Sequence, residues 1–122
     1  MSYTRERRLN EAMDSLNEAK TIKDARVSNL AVLTKLYHSM IYAIMGLFEI
    51  DDIGTLTHDD LINRFEREYI LTGKVRKEYN EALRFAYNIT HECDCGHMKE
   101  PADSDIEDLM PIAEEFVREV EG

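Results

Sequence analysis

The chain is predicted to fold as an all-α protein, an up-and-down bundle of four to five helices in one domain spanning residues 1 to 122. Three observations predict this. Apolar residues recur at three- and four-residue steps through five separate stretches, the pattern of helices with one buried face. Only two prolines and five glycines interrupt 122 residues, which leaves little room for long irregular segments. No strand-like alternation, internal repeat or low-complexity segment appears.

Each element follows in turn. From about Tyr3 to Ala25, Leu9, Ala12, Met13, Leu16, Ala19, Lys20 and Ile22 form one stripe on an otherwise charged helix. The second helix is predicted from about Val27 to Glu49, with Ser28 or Asn29 near its start. Its Leu30, Leu33, Leu36, Tyr37, Met40, Ile41, Ala43, Ile44, Leu47 and Phe48 occupy more than one face. Such a helix belongs at the centre of a bundle, or buries a second face against another subunit. Asp51-Asp52-Ile53-Gly54 stops it, and Thr57-His58-Asp59-Asp60 reads as an N-cap with an acid three residues on. A short third helix is predicted over about His58 to Tyr69, then a turn at Leu71-Thr72-Gly73-Lys74. The fourth, about Val75 to Thr90, carries a stripe of Tyr79, Ala82, Leu83, Phe85, Ala86 and Ile89. After a loop from Cys93 to Ala102, Asp103 or Ser104 caps a last helix with Ile106, Leu109, Met110, Ala113, Phe116, Val117 and Val120 inside. Pro111 requires that this helix bend, or that it begin near Leu109 with the proline in its first turn; the bend is favoured.

A chain of this size buries roughly two-thirds of its unfolded surface, enough for a core without disulfides or metal. Cys93 and Cys95 stand one residue apart, where a mutual disulfide would be strained and would close almost no loop. The longest apolar run, near Met40 to Leu47, is about eight residues, too short for a bilayer, so no membrane association is expected. The first residues lead into an amphipathic pattern rather than an apolar leader, which makes the cytoplasm the expected location. Net charge is −10 and unevenly spread: from Glu92 onward 11 acids face Lys99 and Arg118, leaving only −1 on residues 1 to 91. The acidic end should repel nucleic acid, which excludes general coating of DNA or RNA but not a local basic cleft. Lys74, Arg76 and Lys77 are the basic cluster nearest the fourth helix. No glycine-rich phosphate loop, Gly-x-Ser-x-Gly elbow or His-Glu-x-x-His pair occurs, and no cofactor is expected.

The order of motifs resembles a known family. An amphipathic first helix precedes the aromatic-rich run Leu36-Tyr37-His38-Ser39-Met40-Ile41-Tyr42-Ala43-Ile44-Met45-Gly46-Leu47. Then come Phe65-Glu66-Arg67-Glu68-Tyr69-Ile70-Leu71-Thr72-Gly73, Ala82-Leu83-Arg84, and the closing Ala113-Glu114-Glu115-Phe116-Val117-Arg118-Glu119-Val120. Over nearly the whole chain this resembles the HEPN family of small helical bundles. The resemblance implies a homodimer, a nucleotidyltransferase as partner protein, and membership of a toxin–antitoxin pair. Active members are metal-independent ribonucleases that use an arginine and a histidine four to six residues apart. Others serve as nucleotide- or protein-binding modules, which is the alternative function here. Arg84 and His91, with six residues between them, match the catalytic pair at its widest spacing. Phe85 stands where a polar residue usually follows the arginine, and Thr90-His91-Glu92-Cys93-Asp94-Cys95 replaces the arginine and Ala-Asp-Tyr run of many relatives.

The chemistry fits the residue types. A seven-residue step returns a helix to within roughly 20° of the starting face, so Arg84 and His91 point the same way. Histidine, with an ordinary pKa of about 6.5, can take the proton from a ribose 2′-hydroxyl. Arginine's fixed fork of donors suits the charge on phosphoryl oxygens. A pair at such spacing nevertheless arises about once by chance in a chain with nine arginines and four histidines. The competing reading pairs Arg84 with an acid such as Glu81 and leaves His91 as an end residue favoured by the helix dipole. His91-x-Cys93-x-Cys95-x-His97 is the densest set of ligand-type side chains, but single spacers suit one tetrahedral ion poorly, so no metal is expected. His38, Tyr37 and Tyr42 read as core or interface residues.

Overall fold

The computed structural model describes residues 3–91 and 100–122. Among them five α-helices and one π-helical turn are found and no strand, the all-α bundle that the periodicities predict. α1 spans Tyr3–Ala25, α2 Asn29–Leu47, α3 His58–Phe65, α4 Lys77–His91 and α5 Asp103–Glu121, with the π turn at Glu66–Ile70 continuing α3.

α2 is the central element. Ser28 caps it, its side chain accepting from the Ala31 amide at 3.2 Å. Val32, Leu33, Leu36, Tyr37, Met40, Ile41, Ala43, Ile44 and Met45 are all buried, against α1, α3, α4 and α5. Asn29–Leu47 is in fact long and apolar enough by composition to cross a bilayer, with a mean hydropathy of 1.3, and 61% of it is buried inside the bundle. The eight-residue run in the sequence understated this because Lys35 and the polar Ser39 break the string without breaking the burial. α2 also ends earlier than Glu49. The Glu49 amide bonds the Gly46 carbonyl at 3.1 Å and the Ile50 amide bonds Met45 at 2.8 Å, a Schellman closure with Glu49 itself at φ 54°.

α1 lies along α2 after a three-residue turn. Gly46 permits the close approach, since a Cβ there would meet Arg8 Cβ at 3.3 Å and the Arg5 carbonyl at 3.4 Å. Arg8, buried on α1, reaches past it to the segment that leaves α2. Its Nε donates to the Ile50 carbonyl at 3.0 Å, and its Nη2 donates to the Asp51 carbonyl. Arg7 joins it on the Asp51 carboxylate. This clasp fixes one end of the connection whose other end starts α3. There Thr57 accepts from the Asp60 amide at 3.0 Å and Asp60 accepts from the Thr57 amide at 3.0 Å, the reciprocal cap expected from their spacing.

Two expectations need correction. The third helix does not run as α-helix to Tyr69: the Leu71 amide bonds the Glu66 carbonyl at 2.9 Å, five residues back, so its last turn is π. Phe85 is not in the buried stripe of α4 but is 38% exposed, because Tyr79, Ala82, Leu83 and Ala86 already fill the inner face. α5 keeps Pro111 within it, the favoured of the two readings, rather than beginning near Leu109. It starts at Asp103, with the Ala102 amide bonded to the Asp105 carboxylate at 3.0 Å. Pro111 is exposed, where a missing N–H is least costly.

Candidate active site

α4 sets the frame of the site. Arg84, Tyr87 and His91 follow at steps of three and four residues and share a face. Arg84 and His91 are separated by two turns, about 10 Å along the axis, so they do not touch. What fills the interval comes from α3 and α2.

α3 delivers Asp59 and Asn63 to the arginine and His58 to the histidine. Arg84 Nη1 donates to Asp59 Oδ1 at 2.7 Å, and Nη2 donates to Asn63 Oδ1. The guanidinium thus pairs with an acid, as the competing reading has it, but with Asp59 across the helix interface rather than with Glu81. Two of its five donors are held across the helix interface, and the side chain remains 29% exposed.

His91 is the last residue of α4 and stacks on Tyr87, with ring centroids 4.2 Å apart and planes at 16°. Its Nδ1 lies 3.1 Å from the Tyr87 carbonyl and 2.8 Å from Thr90 Oγ1. A carbonyl only accepts, and the Thr90 hydroxyl donates to Ala86 and Tyr87 carbonyls at 2.9 and 3.2 Å. Nδ1 is thereby assigned the ring hydrogen, and Nε2 of neutral His91 keeps a lone pair. A histidine held in that tautomer is a base waiting for a proton.

Tyr37, buried on α2, ties the group together. Its hydroxyl sits 2.9 Å from His58 Nδ1, and its ring lies 5.6 Å from both His58 and His91. His58 and His91 rings meet edge-on at 5.8 Å. Burial, with Tyr87 adding to it, holds the Tyr37 hydroxyl protonated far above the usual phenol range. His38, the next residue of α2, packs 5.9 Å from Tyr37. Three imidazoles and two phenols thus converge where α2, α3 and α4 meet.

The sequence singled out Arg84 and His91, and the fold places both at this junction, each held by its own neighbours. In the sequence His58 reads only as part of a cap and Tyr37 as a core or interface aromatic, and Asp59 and Tyr87 carry no role of their own. No spacing rule links residues 33 positions apart on different helices. Lys74, Arg76 and Lys77 lie at the other end of α4, where Arg76 is engaged by Glu115 and covers the Tyr79 ring at 4.9 Å. Cys93, Cys95 and His97 of the histidine–cysteine loop lie outside the described residues. Among the described residues no group of three or more His, Cys, Asp or Glu is placed to hold a metal ion.

With this geometry in hand, comparison with known proteins adds two relatives. A UPF0332 protein of Thermotoga maritima is 25% identical over 111 residues, covering 90% of this chain and 83% of that protein. A protein of Methanocaldococcus jannaschii named as a candidate toxin is 26% identical over 89 residues, covering 73% of this chain and 60% of that protein. The chain thus spans less than two thirds of the second relative's length. No family profile and no solved structure matches the chain.

The same packing gives stability a pH dependence. His38 is pushed below the ordinary imidazole range by burial and then by Lys35 and His91; His58 by burial and then by His91 and His38. Both are easier to protonate in the unfolded chain, whose histidines titrate near 6.5. The unfolded state therefore binds more protons as pH falls below that value, and stability declines until the depressed folded pKa values are passed. Urea unfolding at pH 7.5 should give a higher free energy than at pH 5.5. The double variant His38→Gln with His58→Gln should show a shallower decline. An equal decline in both proteins would mean that these imidazoles are not the groups responsible.

Proposed function

We propose that this chain is a HEPN-type endoribonuclease that cleaves RNA without a metal, and that it acts as the toxin of a toxin–antitoxin pair. The observation that carries the reading is that α3 holds Arg84 through Asp59 and meets His91 through His58, with His91 Nε2 left as the basic nitrogen. His91 takes the 2′-hydroxyl proton, O2′ forms a bond to the adjacent phosphorus, and the P–O5′ bond breaks. The departing O5′ takes a proton from water. Products are a 2′,3′-cyclic phosphate and a 5′-hydroxyl end. Arg84 supplies its remaining donors to the phosphoryl oxygens, where charge accumulates as the bond forms. Similarity to a protein named as a candidate toxin supports the biological role. On the resemblance to the HEPN family, the proposed working form is a homodimer located in the cytoplasm, and the partner that restrains it is a nucleotidyltransferase.

The test is cleavage of end-labelled RNA in the presence of chelator. The protein should yield fragments ending in cyclic phosphate, and Arg84→Ala should lower the rate by about 10²- to 10³-fold, the usual cost of losing a donor aimed at developing charge. Expression alone should arrest growth, and the variant should not. RNA left intact by the unaltered protein, or cut equally well by the variant, would overturn the assignment and leave a nucleotide- or protein-binding module.

A further inference from the structure

His58 adjoins Asp59, the arginine's partner, and meets the proposed base edge-on, yet the reaction above gives it no task. Its surroundings decide what task it can perform. The groups that face it are Tyr37 and His38 from α2 and His91 from α4, and its chain neighbour Asp59 turns to Arg84. The Tyr37 hydroxyl is buried, and His58 Nδ1 at 2.9 Å is the acceptor within its reach among the described residues. If Nδ1 carried the hydrogen, two donors would face each other or the phenol would lose its acceptor, a cost of about 1–3 kcal/mol for a buried group. The hydroxyl therefore donates to Nδ1, and the ring hydrogen sits on Nε2.

Resting on the ribonuclease reading, we propose that His58 is a further catalytic residue: a neutral imidazole that offers its Nε2–H as a hydrogen bond to a non-bridging phosphoryl oxygen of the RNA, with Tyr37 as its positioning residue. Neutrality is what the site needs. A charged imidazolium beside His91 would weaken that ring as a base, whereas a neutral donor stabilises the phosphoryl charge and leaves the base intact. Burial, then the proximity of His91 and His38, oppose a charge on His58, and the start of α3, where amide N–H groups point outward, does the same. The two histidines then hold complementary tautomers: His91 with hydrogen on Nδ1 and a free Nε2, His58 with hydrogen on Nε2 and a satisfied Nδ1.

Two measurements on the full chain test this. With ¹⁵N-labelled histidine, ring ¹H–¹⁵N correlation spectra near pH 7 should show His58 protonated on Nε2 only, and Tyr37→Phe should shift that signature toward a tautomer mixture. For RNA cleavage, His58→Ala should be about 10²- to 10³-fold slower. His58→Gln, whose amide nitrogen reaches the position of Nε2, should recover at least about tenfold of that loss with an unchanged pH profile. His58→Asn, which mimics Nδ1, should recover less. An imidazolium or an Nδ1-protonated ring in active protein would overturn the inference alone. Glutamine as inactive as alanine, with the alkaline limb of the pH profile removed, would overturn it in favour of a proton-donating acid. Unaltered protein inert toward every RNA would overturn the ribonuclease reading and with it the catalytic use of His58, whatever the tautomer.

Discussion

His91→Ala is expected to slow RNA cleavage by about 10²- to 10⁴-fold, the usual contribution of a positioned base. His91→Gln should lose as much, because an amide can reproduce the ring's hydrogen bonds but cannot accept the 2′-hydroxyl proton. Folding should hardly change. The imidazole is exposed, and what it gives up is a stack on Tyr87, edge contacts with the Tyr37 and His58 rings, and bonds to groups of its own helical turn. Single-turnover rates for the unaltered protein and both variants, with helical circular dichroism as the control, separate lost chemistry from lost structure. A variant that still cuts at the original rate with folded spectra would remove His91 from the reaction.

The largest effect on stability is expected from Phe116→Ala. Phe116 is fully buried on α5, meeting the Phe65 ring edge-on at 5.2 Å and the Tyr79 ring at 5.2 Å. It thus joins α5 to α3 and α4 at one point. Truncating a buried phenylalanine costs about 3–5 kcal/mol, and domains of this size have only about 5–15 kcal/mol in total. The urea midpoint should fall by about a fifth or more, with the slope little changed. A loss below about 1.5 kcal/mol would show that α5 docks elsewhere. Phe85→Ala, by contrast, removes a side chain 38% exposed and should cost much less.

How far the sequence reached depended on the range of the forces involved. The α3 cap was legible because Thr57 and Asp60 satisfy each other within one turn. The inner face of α5 was legible because Ile106, Leu109, Ala113, Phe116, Val117 and Val120 repeat with the helix. Helix ends were less so: Glu49 adopts a left-handed conformation usually given to glycine, and nothing local announces it. The site was half legible. Arg84 and His91 share a helix, so their spacing carried information. His58 and Tyr37 approach through tertiary packing, and that packing depends on where the Arg8 clasp and the Thr57 cap leave the chain between α2 and α3. Asp59 outcompeted Glu81 for Arg84 for the same reason: the neighbouring helix, not the next turn, presented the better carboxylate.

The turn at Glu66–Ile70 has a consequence for descent. A π turn holds one residue more than the α turn it replaces, and here it forms the last turn of the helix begun at His58. Such a bulge is the form in which a helix absorbs a single inserted codon, and the same place can give one up again. Lineages related to this chain can therefore differ in length by one residue here while His58 and Asp59, upstream of the bulge, keep their stations.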